Sequence, residues 1–228
     1  MIKNILFDLD DTILDFGKAE ENAIIKTLSA LGTEPTDATI RRYSEINLSQ
    51  WKLLELGQLT REEITVHRFT LFFEEFGIDA DAEATNEMYK NFLSQGHYFT
   101  DGAENLLNEL YGKYRLYIVT NGTASVQSGR IESADIEKYF ERIFISDKIG
   151  FNKPSVKFFD ACFSEIPDFK KAETVIVGDS LTSDILGGLN SGIHTIWFNS
   201  KNLPSRADII PEYEIKSLAE VVRVTENI

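Results

Sequence analysis

Five short stretches of the chain carry side chains suited to chemistry. They are Asp8-Leu9-Asp10-Asp11-Thr12, Thr120-Asn121-Gly122, Lys153-Pro154, Gly178-Asp179-Ser180 and, a little further on, Asp184. Together they offer carboxylates able to move protons or hold a hard cation, hydroxyls and one ammonium. Each stretch alone has a plainer reading. An acid pair in an acidic chain is commonly a solvated turn, and a threonine commonly caps a helix. A lysine before proline is commonly a loop residue, and Gly-Asp is commonly turn chemistry. The joint pattern differs, because each stretch follows a predicted strand and ligands bind at the carboxyl ends of parallel strands. No comparable cluster falls at the amino ends.

The elements that must position these residues are legible as a change of period. Ile2 to Phe7 is a short apolar run that stops at Asp8, which reads as a buried strand. From Gly17 to Gly96 the pattern is helical, with Ala23, Ile24, Thr27, Leu28 and Leu31 on one face before Gly32. A second helix carries Ile40, Tyr43, Ile46, Trp51 and Leu54. Thr60 and Glu63 form a capping box ahead of Ile64, His67, Leu71 and Phe72, and a fourth helix carries Met88, Tyr89, Phe92 and Leu93. After Thr100 helices alternate with strands predicted at Leu116–Val119, Ile143–Ile145, Thr174–Val177 and Thr195–Phe198. Alternation implies right-handed crossovers and a parallel sheet covered on both faces. The expected fold is therefore α/β, a Rossmann-like doubly wound parallel sheet with an inserted all-helical domain. The expected boundaries are 1–15 and 98–228 for the core and 16–97 for the insertion, which exceeds any ordinary loop.

Composition narrows the partners. Lysine and arginine number 23 against 37 acids, a net charge of −14. That opposes polymeric nucleic acid and anionic lipid but not a small anion held in one local positive site. No apolar run reaches the roughly 18 residues of a membrane span, and the start does not read as a signal peptide. The single cysteine, Cys162, cannot form an internal disulfide, no zinc-type spacing is present, and the cytoplasm is the expected compartment.

The stretches DLDDT, TNG, KP and GDSLTSD resemble the four successive motifs of the haloacid-dehalogenase-like hydrolase superfamily, and the helical block resembles its helical cap. The resemblance covers nearly the whole chain. It implies that Asp8 is a nucleophile that forms an aspartyl-phosphate, and that Asp10 is the acid for the leaving oxygen and then the base for water. It implies Mg²⁺ held by Asp8, Asp179 and the Asp10 backbone carbonyl, with Asp184 in support. Lys153 would neutralise phosphate charge and steady Asp8, while Thr120, Asn121 and Gly122 would hold phosphate oxygens. Asp10 favours phosphate chemistry over carbon–halogen chemistry, because a halide leaving group needs no acid. Asp11 departs from the glycine commoner at its position.

Further similarity points to the substrate. Tyr43–Leu59 with Asn47 and Trp51, the spacing Asn121-Gly122 to Gln127, and SDILGG from Ser183 to Gly188 resemble pyrimidine 5′-nucleotidases. The resemblance implies a small phosphorylated metabolite, a nucleoside monophosphate, as the partner of a monomer or homodimer. Phe16 and Trp51 are candidate base contacts, against the plainer reading that aromatics at helical spacing pack in a core. A sugar-phosphate phosphatase or phosphomutase is the alternative within the superfamily. A phospho-accepting receiver domain is more distant, since receivers lack a second Asp two residues on and lack the helical insertion.

Overall fold

The opening run folds as anticipated. In the computed structural model, which describes residues 1–228, β1 (Asn4–Phe7) is fully buried and ends at Asp8. Four helices follow: α1 (Phe16–Ala30), α2 (Asp37–Glu55), α3 (Arg61–Phe76) and α4 (Ala82–Leu93). The chain then alternates through α5 (Ala103–Leu110), β2 (Arg115–Thr120), α6 (Ala124–Ser133), β3 (Arg142–Ile145), α7 (Ser146–Ile149), α8 (Val156–Ser164) and β4 (Thr174–Gly178). It ends with α9 (Leu186–Ser191), β5 (His194–Phe198), β6 (Tyr213–Ile215) and α10 (Glu220–Asn227).

The six strands form one parallel sheet in the order β3-β2-β1-β4-β5-β6. Strand order reverses on either side of β1, the arrangement that opens a crevice at the carboxyl edge. Register aligns the ends there: Phe7 pairs with Ile118 on one side and Val177 on the other. Asp8 therefore emerges between the tips of β2 and β4. Under one face of the sheet, Leu6, Val119 and Ile176 pack on Phe158, Phe159 and Cys162 of α8. Cys162 is buried, and burial pushes its thiol well above its ordinary pKa, so it is an inert core residue.

Two compact units result. One comprises Met1–Asp15, Phe99–Ala124 and Asp135–Ile228; the other comprises Phe16–Tyr98 and Ser125–Ala134. The second unit thus takes Tyr98 and most of α6, which the sequence reading had left with the sheet. The physical reason is a buried face on α6, carrying Val126, Gln127, Arg130 and Ile131, that packs on helical partners far away in the sequence. No helix is long and apolar enough to cross a membrane.

The helical unit is built from well-terminated helices. The Thr60–Glu63 box closes reciprocally, with Thr60 N–H donating to Glu63 Oε2 at 2.8 Å and Glu63 N–H to Thr60 Oγ1 at 3.2 Å. Gly77 ends α3 at φ 64°, where a β-carbon is disfavoured. Tyr43, Phe69 and Tyr89 form its centre, with ring centroids 5.3–5.5 Å apart.

A close helix-on-sheet contact fixes the far end of the sheet. A β-carbon on Gly188 of α9 would lie 2.6 Å from Ile176 Cγ2 and 2.7 Å from Thr195 Cγ2. Gly188→Ala must push α9 off β4 and β5. The expected loss is about 1–3 kcal/mol, read from the midpoint of urea unfolding; an unchanged midpoint would show that the helix yields freely.

Candidate active site

The site is built around Lys153, which follows β3 by way of α7 and is 1 % exposed. Its three ammonium protons have three acceptors: Asp8 Oδ1 at 2.6 Å, Asp184 Oδ1 at 2.7 Å and the Val119 carbonyl at 2.7 Å. A buried ammonium with every donor used is held in one place. The Lys153 backbone is held as well. Its N–H donates to Asn121 Oδ1 at 2.8 Å, and its carbonyl accepts from Asn121 Nδ2 at 2.9 Å. Asn121 therefore ties the loop after β2 to the Lys153 loop, and its amide also reaches Ser183 Oγ at 3.3 Å.

Asp8 is anchored by its own N–H, which donates to the Val177 carbonyl at 2.9 Å. After it, the Leu9 carbonyl accepts from both Ile13 and Leu14, and Asp11 N–H donates to Leu14 O at 2.8 Å. This tight turn leaves Asp10 half-buried and Asp11 in the left-handed region at φ 57°. The position where glycine is commoner is thus one that glycine suits, and Asp is among the residues that tolerate it. Thr120 is buried at the tip of β2, and its hydroxyl accepts the Gly122 N–H at 3.2 Å.

Asp179 follows β4, and its carbonyl accepts Trp197 Nε1–H at 2.8 Å. Asp184 sits on a wide turn, Leu181–Ile185, where the Ser180 N–H donates to its Oδ2 at 3.0 Å. Gly178 is obligatory here, because a β-carbon on it would fall 2.3 Å from the Asp184 carboxylate. The wide turn leads directly into α9, which begins at Leu186.

Three carboxylate oxygens, one each from Asp8, Asp179 and Asp184, lie within 4.8 Å of one another. Their electrostatics are strained. Burial raises the Asp8 carboxyl well above its ordinary 3.8; Lys153 opposes this, while Asp184 and Asp10 add to it. Burial likewise raises Asp179, with Asp8, Asp184 and Asp11 adding to the rise and Lys201 countering it. Part of Asp179 stays open to solvent, but protein crowds most sides of it. Lys153 is pulled the other way: burial lowers it, and Asp184 and Asp8 together outweigh burial. Asp8 and Asp184 share one buried lysine and Asp179 makes no bond to it, so negative charge is left over, and hard oxygens in this arrangement fit a divalent cation such as Mg²⁺. Asp184 joins this cluster directly, a closer part than the support expected of it, whereas the Asp10 carboxylate is not among the three.

The structure brings Asp8, Asp10, Thr120, Asn121, Gly122, Lys153, Asp179 and Asp184 into the α/β unit. Phe16 and Trp51 belong to the helical unit, where each meets an arginine. The Arg130 guanidinium lies 5.6 Å from the Phe16 ring, and that of Arg61 lies 5.6 Å from the Trp51 ring. Asn47 is committed to a buried bridge, accepting from Arg68 at 2.8 Å and donating to Glu20 at 2.6 Å. Lys201 was missed. It follows β5 at the same sheet edge, pairs with Asp11 at 2.6 Å and adds positive potential near Asp179. Reading the residues after the fifth strand as well as the first four finds it.

The chain matches the family model described as haloacid dehalogenase-like hydrolase over residues 5–198. It is 38 % identical to the HAD-hydrolase YfnB of Bacillus subtilis, over 97 % of this chain and 94 % of that one. It is 36 % identical to the pyrimidine 5′-nucleotidase PynA of Streptococcus pneumoniae, over 96 % and 93 %. The pyrimidine 5′-nucleotidase YjjG of Escherichia coli is 28 % identical over 95 % of each chain. Among solved structures, magnesium-bound YfnB superposes with a TM-score of 0.94, covers 100 % of this chain and 99 % of its own, and is described as revealing interdomain movement.

The charge excess generates a prediction with a definite sign. A carboxyl whose native pKa lies above its unfolded value adds stability that is complete below about 3.8 and is lost as pH rises through the native value. Asp179→Asn removes that loss. After treatment with EDTA, the variant should melt above the wild type at about pH 8, with the gap closing near pH 4. Each ~1 kcal/mol corresponds to about 2–4 °C for a chain of this size. Added Mg²⁺ should raise the wild-type melting temperature and leave the variant's unmoved. A metal-free variant that melts at or below the wild type at pH 8 contradicts the charge-excess account.

Proposed function

We propose a reaction for this enzyme from one premise: the chain belongs to the haloacid dehalogenase-like hydrolase family. It is a hydrolase, and the reading favoured here is a Mg²⁺-assisted phosphate-monoester hydrolase acting on nucleoside monophosphates. The observation that carries it is the placing of Asp8, a buried carboxylate fixed by Lys153, within one cluster with Asp179 and Asp184. Two relatives named pyrimidine 5′-nucleotidase, alike over nearly the full chain, support the substrate class.

In this reading Asp8 attacks the phosphorus atom. The P–O bond to the leaving group breaks, and the phosphoryl group passes to the Asp8 carboxylate. Asp10, whose charge is felt at Asp8, donates a proton to the departing ester oxygen. It then takes a proton from the water that attacks the aspartyl-phosphate, giving inorganic phosphate and restoring Asp8. Thr120 and the N–H groups of Asn121 and Gly122 hold the phosphate oxygens, and Lys153 offsets their charge. Asp8, Asp179 and Asp184 would hold the cation, with the Asp10 carbonyl completing the set. Bound there, it would neutralise charge on the phosphoryl oxygens. Interdomain movement is named for YfnB, and a movement of that kind would admit substrate and exclude water.

No single group suffices. Phosphate monoesters hydrolyse so slowly that accelerations up to ~10²¹ are required, roughly 28 kcal/mol at ~1.36 kcal/mol per tenfold. One general acid supplies only ~10²–10⁴. Nucleophile, acid, lysine and oriented donors must act as a unit, so each loss should be far from additive.

The direct test is phosphate release from a panel of UMP, dUMP, dTMP, AMP and hexose phosphates with Mg²⁺. Pyrimidine nucleotides should lead, EDTA should stop release, and Asp8→Asn should abolish turnover while the fold persists. A panel led by hexose phosphates would replace the substrate reading, and turnover by Asp8→Asn would remove the nucleophile. The role of Asp10 has its own test. Asp10→Asn should cost about 10²–10⁴-fold on an alkyl phosphate, whose leaving group needs a proton, and much less on an aryl phosphate. Equal losses on the two esters would take the acid role from Asp10.

A further inference from the structure

The reaction proposed for the site makes no use of the Asp11 side chain, although Asp11 adjoins Asp10 and stands where glycine is commoner. Its backbone lies in the left-handed region at φ 57°. Glycine enters that region freely, and asparagine tolerates it as aspartate does. Backbone geometry alone therefore asks for no carboxylate. The carboxylate has a partner 190 residues further along the chain: Lys201 Nζ donates to Asp11 Oδ2 at 2.6 Å. Burial lowers the Lys201 ammonium, but the acids it faces, Asp11 foremost and then Asp179 and Asp15, outweigh burial and raise it. Both members of the pair belong to the α/β unit.

Each partner sits on backbone of fixed form. At one end is the closed turn after Asp8. The Asp11 N–H donates to Leu14 O at 2.8 Å, the Leu9 carbonyl accepts from Ile13 and Leu14, and Asp10 bridges to Leu14. A shift of Asp11 is therefore a shift of Asp10. At the other end is the loop after β5, organised by the buried Asn199. The Asn199 Oδ1 accepts the Leu203 N–H at 2.7 Å, and its Nδ2 donates to Leu203 O at 3.0 Å and to Glu214 Oε1 of β6 at 2.8 Å. Its N–H donates to Ile215 O at 2.8 Å, and Asn202 follows Lys201 in the left-handed region at φ 51°. The loop that presents Lys201 is thus closed on itself and tied to the last strand. Strand β4 lies between β1 and β5, so the ion pair crosses the strand whose tip leads to Asp179.

We propose that Asp11 and Lys201 are a pair of positioning residues: their ion pair fastens the turn that carries Asp10 to the loop after β5, and so sets the aim of the Asp10 carboxyl. The inference rests on the reading of Asp10 as the acid for the leaving oxygen. Neither member of the pair has to touch substrate. An ion pair with an exposed lysine adds little to stability, so what it supplies is orientation. Proton transfer depends on that orientation, because the acid has to lie within hydrogen-bond reach of the departing oxygen. The strained aspartate in place of glycine is then explained by its charge, which the turn itself does not need.

The test compares wild type, Asp11→Asn, Asp11→Gly, Lys201→Met, Lys201→Arg and the double variant Asp11→Asn/Lys201→Met, with Asp10→Asn as the control. Measurements on the full chain are kcat and KM for an alkyl and an aryl phosphate, Mg²⁺ binding by calorimetry, and the melting temperature. Asp11→Asn and Lys201→Met should each lower kcat on the alkyl phosphate about tenfold, a part of the ~10²–10⁴ that a general acid supplies. The loss on the aryl phosphate should be much smaller, with KM and the melting temperature little changed. Lys201→Arg should recover most of the alkyl rate, and the double variant should lose no more than either single one, as for two residues acting as a pair. Wild-type rates on the alkyl ester in both single variants overturn the proposal, as do additive losses in the double variant. Equal losses on the two esters also overturn it, and a changed Mg²⁺ affinity beside them marks Lys201 as acting through its field on Asp179. Should Asp11→Asn fail to fold, Asp11→Gly decides, since glycine suits the turn: an alkyl-specific loss supports the pair, and a wild-type rate overturns it. Asp10→Asn separates the two levels. A split between the esters there without one in Asp11→Asn fells the proposal alone, whereas no split in Asp10→Asn fells the acid reading and the proposal with it.

Discussion

The structure depends on one buried ammonium. Lys153 is the only cation that hydrogen-bonds to the acids of the cluster, and its three protons join Asp8 after β1, Asp184 after β4 and the backbone of β2. Three strands of the sheet are thereby tied at their carboxyl edge by one side chain. Removal of such a partner from buried carboxylates typically costs about 3–5 kcal/mol, because the remaining charges are left unpaired. The surrounding sequence serves that contact. Asn121 fixes the lysine backbone through two hydrogen bonds, Gly178 leaves space for the Asp184 carboxylate, and the wide turn after Ser180 delivers that carboxylate to the lysine.

Lys153 holds the acids in place without balancing them. Asp8 remains well above the ordinary carboxylate range even beside it, as Asp179 does despite Lys201, so the native fold confines charge that water would otherwise relieve. A protein stable in spite of this is one whose remaining contacts carry the excess. The sheet supplies them: β1 is buried along its length, and the core beneath it is continuous from Leu6 through Phe158 and Phe159. A site strained in its resting form and relieved by a cation is the expected signature of a place where a cation belongs.

Much of this was legible in the sequence, and for definable reasons. Strands β1, β2, β4 and β5 are apolar runs that end at polar residues, which is the pattern of parallel strands buried on both faces. Their tips could therefore be read for chemistry. The Thr60–Glu63 box is a local rule with a local outcome. What escaped was non-local or short. Strand β6 is three residues, Tyr-Glu-Ile, too brief for any period to show. The wide turn at Leu181–Ile185 follows from where Asp184 must point, which no spacing encodes. The allegiance of α6 rests on partners such as Ser94 and Gly96, more than thirty residues away. Asn47 carried part of the resemblance in the sequence, and what it does in the fold depends on distant partners: both ends of its amide are spent on Arg68 and Glu20.

That last pairing bears on how the helical unit can act as a body. Glu20 and Arg68 are buried charges on α1 and α3, and Asn47 of α2 joins them, while Arg68 also donates to Asn86 of α4 at 2.8 Å. All four inserted helices are thus stitched by hydrogen bonds that begin and end within the unit. Loss of any one of these bonds would strand a buried charge or amide, so the network specifies how the four helices pack on one another.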